Sequence, residues 1–323
     1  MEKYKTVLLR LINSILKFYI LIYLAKFMLI NELAEYYLII SFVLFAIVAV
    51  SLDFCMYASR EYINGVDKSF VIFNSLIVYC ITYIVFIPLF IYYLFLDKNF
   101  SLSLSFIVIF LILTEHLNQE IFRYLYITSK IMLSALLLLI KNILLILFLI
   151  IVNYFDDISL KNVLLSMIVS TILSILILFY NKINFEYVKN ILSKSKKFVF
   201  SSKWLLQGIK SSLIILIGSL SARYIFFADK DYVLNLENVK MASAYGLLFT
   251  ILMSSYVFFE SFFIAPFVKT IYENNKLVVL KIYNKIIIQS IVYCLIICIS
   301  FYIFVDVLYF TDPIDEYMVQ NVK

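Results

Sequence analysis

Glycine, proline and histidine are scarce in this chain of 323 residues, which has 4 Gly, 3 Pro and 1 His. Phosphate-binding loops need closely spaced glycines, so an ATP-driven pump within this sequence is excluded. A lone histidine offers no zinc-type spacing of His and Glu. The four cysteines, Cys55, Cys80, Cys294 and Cys298, lie in apolar runs, which is not the pattern of a disulfide framework. We therefore expect no cofactor, no metal and no enzyme.

Charged residues are also few, at 15%, whereas 64% of residues are hydrophobic and the mean hydropathy is +1.02. Soluble domains have about 25% charged residues, so lipid is the expected solvent. A membrane-spanning helix needs about 20 apolar residues, and nine such runs occur. They predict an all-α, polytopic transmembrane helix bundle. The runs are 11–30, 37–58, 70–96, 102–124, 131–152, 160–180, 204–227, 241–264 and 284–308.

The distribution of Lys and Arg predicts the orientation of these nine spans. Cations concentrate in alternate loops, which places the N-terminus in the cytoplasm and the C-terminus outside. The basic segment 181–203 becomes a cytoplasmic linker on the anionic inner leaflet. It separates a six-helix N-terminal lobe, 1–180, from a partial lobe, 204–323. Because the net charge of +6 lies at membrane interfaces, we expect no nucleic-acid partner.

The two lobes contain a weak internal repeat. Lys17 follows Arg10 by seven residues in the first span, and Lys210 follows Lys203 by seven in the seventh. Seven residues make two helical turns, so each pair shares a face. The second and eighth spans also correspond, since Glu35-Tyr36-Tyr37-Leu38 opens one and Ala244-Tyr245-Gly246-Leu247 the other. Both copies run in the same direction, as a parallel repeat requires.

Ionisable side chains inside spans usually face a partner or a wet cavity, because facing lipid costs several kcal/mol. Lys17 and Lys210 are predicted to face a central cavity, where cations would hold an anion such as a phosphate. Lys26, Lys141 and Arg223 have a second interpretation as interface anchors. The set is Lys17, Lys26, Asp53, Glu115, Lys141, Lys210, Arg223 and Glu260.

The end of the fourth span carries the densest polar sequence, from Thr114 to Arg123. His116 and Glu120, four residues apart, suit a proton relay. Glu120 and Arg123 equally suit a pair that fixes the helix end. Both interpretations stay open at this point.

The chain resembles the polysaccharide flippases of the multidrug/oligosaccharidyl-lipid/polysaccharide superfamily, especially the O-antigen type. The resemblance covers essentially the whole chain, through short motifs. They are the cation-bearing first span, Glu35-Tyr36-Tyr37, Ser59-Arg60-Glu61, the run from Glu115 to Leu125 (EHLNQEIFRYL), Arg223-Tyr224 and Ala244-Tyr245-Gly246.

The resemblance implies two six-helix lobes around a cationic cavity that moves an undecaprenyl-diphosphate-linked oligosaccharide between leaflets. Lys17 and Lys210 would contact the diphosphate, helped by Arg10, Lys26, Arg60 and Arg223. Candidate sites for ion or proton coupling are Asp53, Glu115, His116 and Glu260. With nine predicted spans, the second lobe has three helices instead of six. We therefore expect either a truncated chain or helices supplied by a partner.

The expected location is a bacterial cytoplasmic membrane, with membrane lipids around the chain. A polysaccharide polymerase and a chain-length regulator are the expected protein partners in making O-antigen and lipopolysaccharide. One alternative is an integral-membrane polymerase or glycosyltransferase, although the longest predicted outer loop, 228–240, is short and lacks Arg. A drug exporter of the same superfamily is another, for which an acidic cavity would be expected.

Overall fold

The protein is all-α in a computed structural model that describes residues 2–128, 130–180, 199–235, 239–259, 280–295 and 299. The predicted helical fold class is thereby confirmed, since these residues contain helices and no strand. The helices are α1 (Glu2–Phe27), α2 (Ile30–Ser51), α3 (Phe54–Ile63), α4 (Lys68–Tyr92), α5 (Leu102–Ile127), α6 (Ile131–Phe155), α7 (Leu160–Tyr180), α8 (Ser202–Asn235), α9 (Val239–Phe259) and α10 (280–295).

Within the described residues, six helices are long and apolar enough to cross a membrane, and α8 makes a seventh if its two halves, bent by 52°, count as one span. These helices support a multi-pass membrane protein. The four predicted spans between 70 and 180 coincide with α4 to α7 within a few residues. In the predicted eighth and ninth spans, 241–264 and 284–308, residues 241–259 and 284–295 are helical, while 260–264 and most of 296–308 lie outside the described residues.

The second predicted span, 37–58, differs from the structure, because α2 ends at Ser51 and a new helix begins at Phe54. Leu52 and Asp53 between them are in the left-handed region, with φ of 49° and 48°. This conformation is uncommon for residues other than glycine. The backbone N–H of Leu52 still bonds to Val48 O, at 3.0 Å, so it closes α2. The break redirects the chain into α3.

Local sequence explains how α4 and α5 begin and end. The Asp67 carboxylate accepts from Phe70 N and the Ser101 hydroxyl from Leu104 N, which caps both N-termini. Pro88 lies inside α4, where it has no N–H to donate. A π-helical turn, Tyr93–Asp97, follows α4, with a bond from Lys98 N to Tyr93 O of 3.0 Å.

The core is centred on α2, whose surface is mostly buried by α8, α9, α5 and α4. Tyr37, Ile47 and Val50 of α2 pack with Leu111 of α5 and Leu164 of α7. On the other side of the lobe, α1 packs on α6, and α6 and α5 pack on α7. Large apolar side chains face outward, as expected for lipid contact. Examples are Ile84, Tyr154 and Phe155.

The prediction of an outer loop at 228–240 is wrong for most of these residues. Helix α8 continues to Asn235 and α9 begins at Val239, with 236–238 outside the described residues. Lys230, expected in this loop, is 7% exposed and lies within the bundle. Its ammonium donates to the Ser41 hydroxyl at 2.6 Å and lies 4.6 Å from the centre of the Phe249 ring. This polar partner and the aromatic face let a lysine be buried there.

The first two helices of each lobe pack reciprocally. In the predicted repeat, α8 corresponds to α1 and α9 to α2. Helix α1 contacts α9 and α2 contacts α8, so each helix of the first pair contacts the counterpart of the other. Helices α2 and α9 also contact each other, at a point where Tyr37 and Gly246 meet. These two residues hold the same position in the two repeat motifs. If the predicted repeat places the two halves about a two-fold axis, equivalent residues near that axis are expected to meet in this way.

Candidate functional site

A polar cluster lies near the middle of four long helices. The Lys141 ammonium of α6 donates to both carboxylate oxygens of Glu115 on α5, at 2.5 and 2.7 Å. The Thr171 hydroxyl of α7 donates to the same carboxylate at 3.1 Å. Both charged side chains are 13% exposed. Three helices thus supply the partners that a charge needs when it is removed from water.

Lys17 on α1 joins this cluster through electrostatic interaction with Glu115 and Lys141. Its backbone position is fixed nearby by a pair of buried amides, because Asn142 Nδ2 donates to Asn13 Oδ1 at 2.7 Å. Lys17 and Lys141 are basic and Glu115 is acidic, so the cluster has one more basic group than acidic groups. An anionic group placed beside the Lys17–Glu115–Lys141 cluster would be stabilised by the protonated form of Lys17.

His116 belongs to a second group on α4 and α5. Its Nδ1 shares a hydrogen bond of 2.8 Å with the Tyr83 hydroxyl, and its Nε2 is 3.8 Å from Glu120. Glu120 also accepts from Tyr79 at 3.0 Å and from Arg123 at 2.5 Å. Both interpretations of the sequence thus have a geometric basis: the Glu120–Arg123 pair is formed, and His116 lies beside it.

Asp53 is buried at the break between α2 and α3, where its carboxylate accepts from the Ser219 hydroxyl of α8. It therefore connects the two lobes instead of standing in an open cavity. Glu260, the acidic residue inside the predicted eighth span, lies outside the described residues.

The six predicted cations are spread over three helices. On α1, Arg10 lies 5.8 Å from the Tyr126 ring centre, Lys17 joins the cluster with Glu115, and Lys26 is exposed beside Phe27. Arg60, on α3, is exposed beside Tyr57. On α8, Lys210 is exposed and Arg223 is half-buried. Among the predicted residues, the structure places Lys17 near Glu115. The role of Lys17 in substrate binding and that of Glu115 in ion or proton coupling stay predictions.

Sequence reasoning treated Lys141 as a possible anchor and gave Lys98 and Asp231 no role. Lys98 follows the π-helical turn and forms an ion pair with Asp231 of α8. This pair, like the Lys230–Ser41 bond, connects the lobes at the end of the bundle where α4 finishes. The sequence holds a signal for Lys141 in its position near the middle of an apolar run. It holds none for Lys98 and Asp231, because both lie near predicted loops.

Comparison with known proteins gives no match: no family model, no curated protein and no solved structure matches the chain. The assignment of function below depends on the residues and packing of the chain itself.

Proposed function

We propose that the chain is a membrane flippase of the polysaccharide type, moving an undecaprenyl-diphosphate-linked oligosaccharide across a bacterial cytoplasmic membrane. The observation that carries the proposal is the reciprocal packing of α1 and α2 with α8 and α9. Transporters built from parallel repeats place their lobes about an axis along the membrane normal, and they bind substrate between the lobes. Alternate opening of these lobes to either side is the expected mechanism.

The Lys17–Glu115–Lys141 cluster, on helices α1, α5 and α6 of the first lobe, supports an anionic substrate because it has one more basic group than acidic groups. Glu115 pairs with Lys141, so Lys17 is the basic group that an anion entering from between the lobes would contact. A diphosphate offers several oxygens for lysine ammoniums to share. An exporter of cationic drugs is expected to have an acidic cavity, and this cluster would then contain more carboxylates than lysines.

The same packing counts against a polymerase or a glycosyltransferase acting on lipid-linked sugars. Such polymerases typically carry a large outer loop with arginines. In this chain, helix occupies residues 228–235 of the longest predicted outer loop, and Lys230 within it is buried. A transporter needs no such loop. A polymerase and a chain-length regulator are instead the partners with which a flippase would work.

Complementation tests the proposal. A bacterial strain that lacks its own flippase but retains the matching glycan genes would receive this chain, and surface polysaccharide would be compared with the empty vector. We expect polysaccharide to be restored, and we expect Lys17→Ala to reduce it at unchanged protein level. Lys161→Ala, at an exposed lysine near the start of α7, is the matched control. Restoration by Lys17→Ala equal to that of the control would contradict the role of Lys17.

A further inference from the structure

A long cavity of about 610 Å³ lies between α3, α4, α5 and the end of α7. Its lining residues on α5 run from Leu113 to Ile127, so the cavity follows this helix for about 20 Å. Leu76 and Leu117 on its walls are each more than half exposed, so the cavity is open to the surroundings of the bundle. A long and mainly apolar space of this volume suits one chain-like molecule.

Charged side chains in the wall of this cavity have partners within the chain. Arg123 donates to the Glu120 carboxylate at 2.5 Å, and the Tyr79 hydroxyl donates to the same carboxylate at 3.0 Å. Lys130, just beyond α5, also has an interaction within the chain. A charged headgroup beside the Glu120–Arg123 pair would meet a like charge as well as an opposite one. The pair therefore gives a charged ligand little electrostatic advantage.

His116 places a polar atom without a hydrogen-bond partner beside this pair. Its side chain lines the cavity and is 3% exposed, and its Nδ1 shares a hydrogen bond with the Tyr83 hydroxyl. Its Nε2 has no hydrogen-bond partner within the described part of the chain, and it lies 3.8 Å from Glu120, which is too far for a direct bond. A hydroxyl group could accept from Nε2–H and donate to the carboxylate. Such a group would remove the cost of the unpaired buried atom.

We propose that this cavity binds an uncharged, single-chain molecule whose hydroxyl lies between His116 and Glu120. The chain lies along the apolar walls that α4 and α5 supply. A phosphate or a carboxylate in place of the hydroxyl would repel the Glu120 carboxylate, and a cationic head would repel the guanidinium paired with it. This inference goes beyond the proposed function and does not depend on it, because the Lys17–Glu115–Lys141 cluster does not line the cavity.

Occupancy of the cavity can be measured at Cys80. This residue lines the cavity and is exposed, whereas Cys55, another lining residue, is buried. In the purified full chain with Cys294→Ser and Cys298→Ser, alkylation of Cys80 by N-ethylmaleimide would be followed by peptide mass spectrometry. Probes with the same alkyl chain would be compared at equal mole fraction in neutral detergent. They are dodecanol, its methyl ether, dodecyl phosphate and dodecyltrimethylammonium.

We expect dodecanol to slow alkylation of Cys80 saturably, and each of the other probes to require about tenfold more for the same protection. The methyl ether can accept from Nε2–H but has no proton to donate to Glu120. Equal protection by all the probes would overturn the proposal, because it would mean that the chain simply partitions into detergent around the protein. Stronger protection by dodecyl phosphate than by dodecanol would also overturn it, because the site would then prefer an anion.

Replacing His116 tests the place of the hydroxyl. His116→Leu should raise the concentration of dodecanol needed for protection about tenfold, and His116→Gln, which keeps a hydrogen-bonding group, should recover part of the loss. Asn118→Leu is the matched control, because Asn118 is also buried on α5 but does not line the cavity. It should leave protection unchanged. Equal protection in His116→Leu and in this control would contradict the bond to His116.

Filling the cavity tests the place of binding without changing a polar group. Leu117→Trp, at an exposed lining position, should abolish protection by dodecanol. Ile84→Trp is the matched control, since Ile84 is 74% exposed and does not line the cavity. Thermal unfolding of each unliganded variant in the same detergent checks that the fold is intact. Unchanged protection in Leu117→Trp would contradict binding in this cavity.

Two sources of such an alcohol are distinguished by one further probe. Protection by farnesol at lower concentration than dodecanol would assign an isoprenyl alcohol. The reverse order would assign a straight-chain alcohol. If neither compound protects Cys80, the proposal fails, while the complementation result for flipping stands unaffected.

Discussion

Glu115 accepts two hydrogen bonds from Lys141 and one from Thr171, and it interacts with Lys17 as well. Removing one partner of a buried ion pair leaves the other charge uncompensated, which is costly. The carboxylate is therefore needed for the stability of a bundle that carries two lysines near its centre. The same carboxylate also limits the positive charge available to a substrate.

We predict that Glu115→Gln lowers the free energy of unfolding by about 3 to 5 kcal/mol, the usual cost of breaking a buried pair. The measurement is reversible unfolding of the purified protein in mixed micelles. Glu115→Gln combined with Lys141→Gln should be less destabilised than the sum of the two single variants. Lys161→Gln, at an exposed position, serves as the control. Strict additivity of the two changes would contradict the pairing.

Two helix contacts depend on glycine. A Cβ atom at Gly208 of α8 would collide with the Phe54 and Tyr57 rings of α3, and one at Gly246 of α9 with Tyr37 of α2. Phe54 and Tyr37 are almost fully buried, so neither ring has room to move. Both contacts join the first lobe to the second. Of the three glycines inside helices, two are therefore explained by these contacts, despite the cost of glycine to helix stability.

We predict that Gly208→Ala and Gly246→Ala each destabilise the protein by about 1 to 3 kcal/mol through overpacking. Gly218→Ala, in the same helix as Gly208, is the matched control, because nothing lies within 4 Å of its added Cβ atom. It should be neutral or stabilising by up to about 1 kcal/mol. Thermal unfolding in detergent measures all three. Equal effects at the three positions would contradict the close approach of the helices.

Apolar periodicity predicted α4 to α7 well, because each is a long run bounded by polar residues. The break at Leu52 and Asp53 was missed, since neither glycine nor proline marks it. Segment 228–235 was taken for a loop because it is polar. It stays helical because Lys230 and Asp231 find partners in other helices. Such pairings depend on tertiary contacts, which one sequence does not reveal.

For the candidate site, too, the sequence predicted some features and missed others. The position of Lys17 and Glu115 inside apolar runs was enough to mark both as functional candidates. Their proximity was not predictable, since α1 and α5 are distant in sequence. The presence of Lys17 and Lys141 beside a single carboxylate follows from that proximity. Helix α1 packs on α9 and α2 on α8, while the division into two repeated lobes expected from short motifs stays a prediction.

Two polar contacts join the first seven helices to α8, and both must break if the two lobes move apart at this point. Lys98, after the π-helical turn, pairs with Asp231 of α8. Near it, Lys230 of α8 donates to Ser41 of α2. In a transporter that opens alternately to two sides, these contacts hold one end of the bundle closed.

We predict that a thiol cross-link between Lys98→Cys and Asp231→Cys blocks transport and that reductive cleavage of the linker restores it. A cross-link between Tyr23→Cys and Asn153→Cys is the control, because these residues contact each other within the first lobe. It should leave transport intact. The readout is surface polysaccharide in the complemented strain. Full activity of the cross-linked Lys98–Asp231 pair would contradict alternating access through this end.

Direct observation of flipping tests the central claim most directly. The purified chain would be reconstituted in liposomes containing a fluorescent isoprenyl-diphosphate-linked disaccharide, and dithionite would quench the label in the outer leaflet. We predict that quenching proceeds to near completion with the wild-type chain and is slower with Lys17→Ala. Quenching that stops at the outer-leaflet fraction, as in protein-free liposomes, would contradict the account.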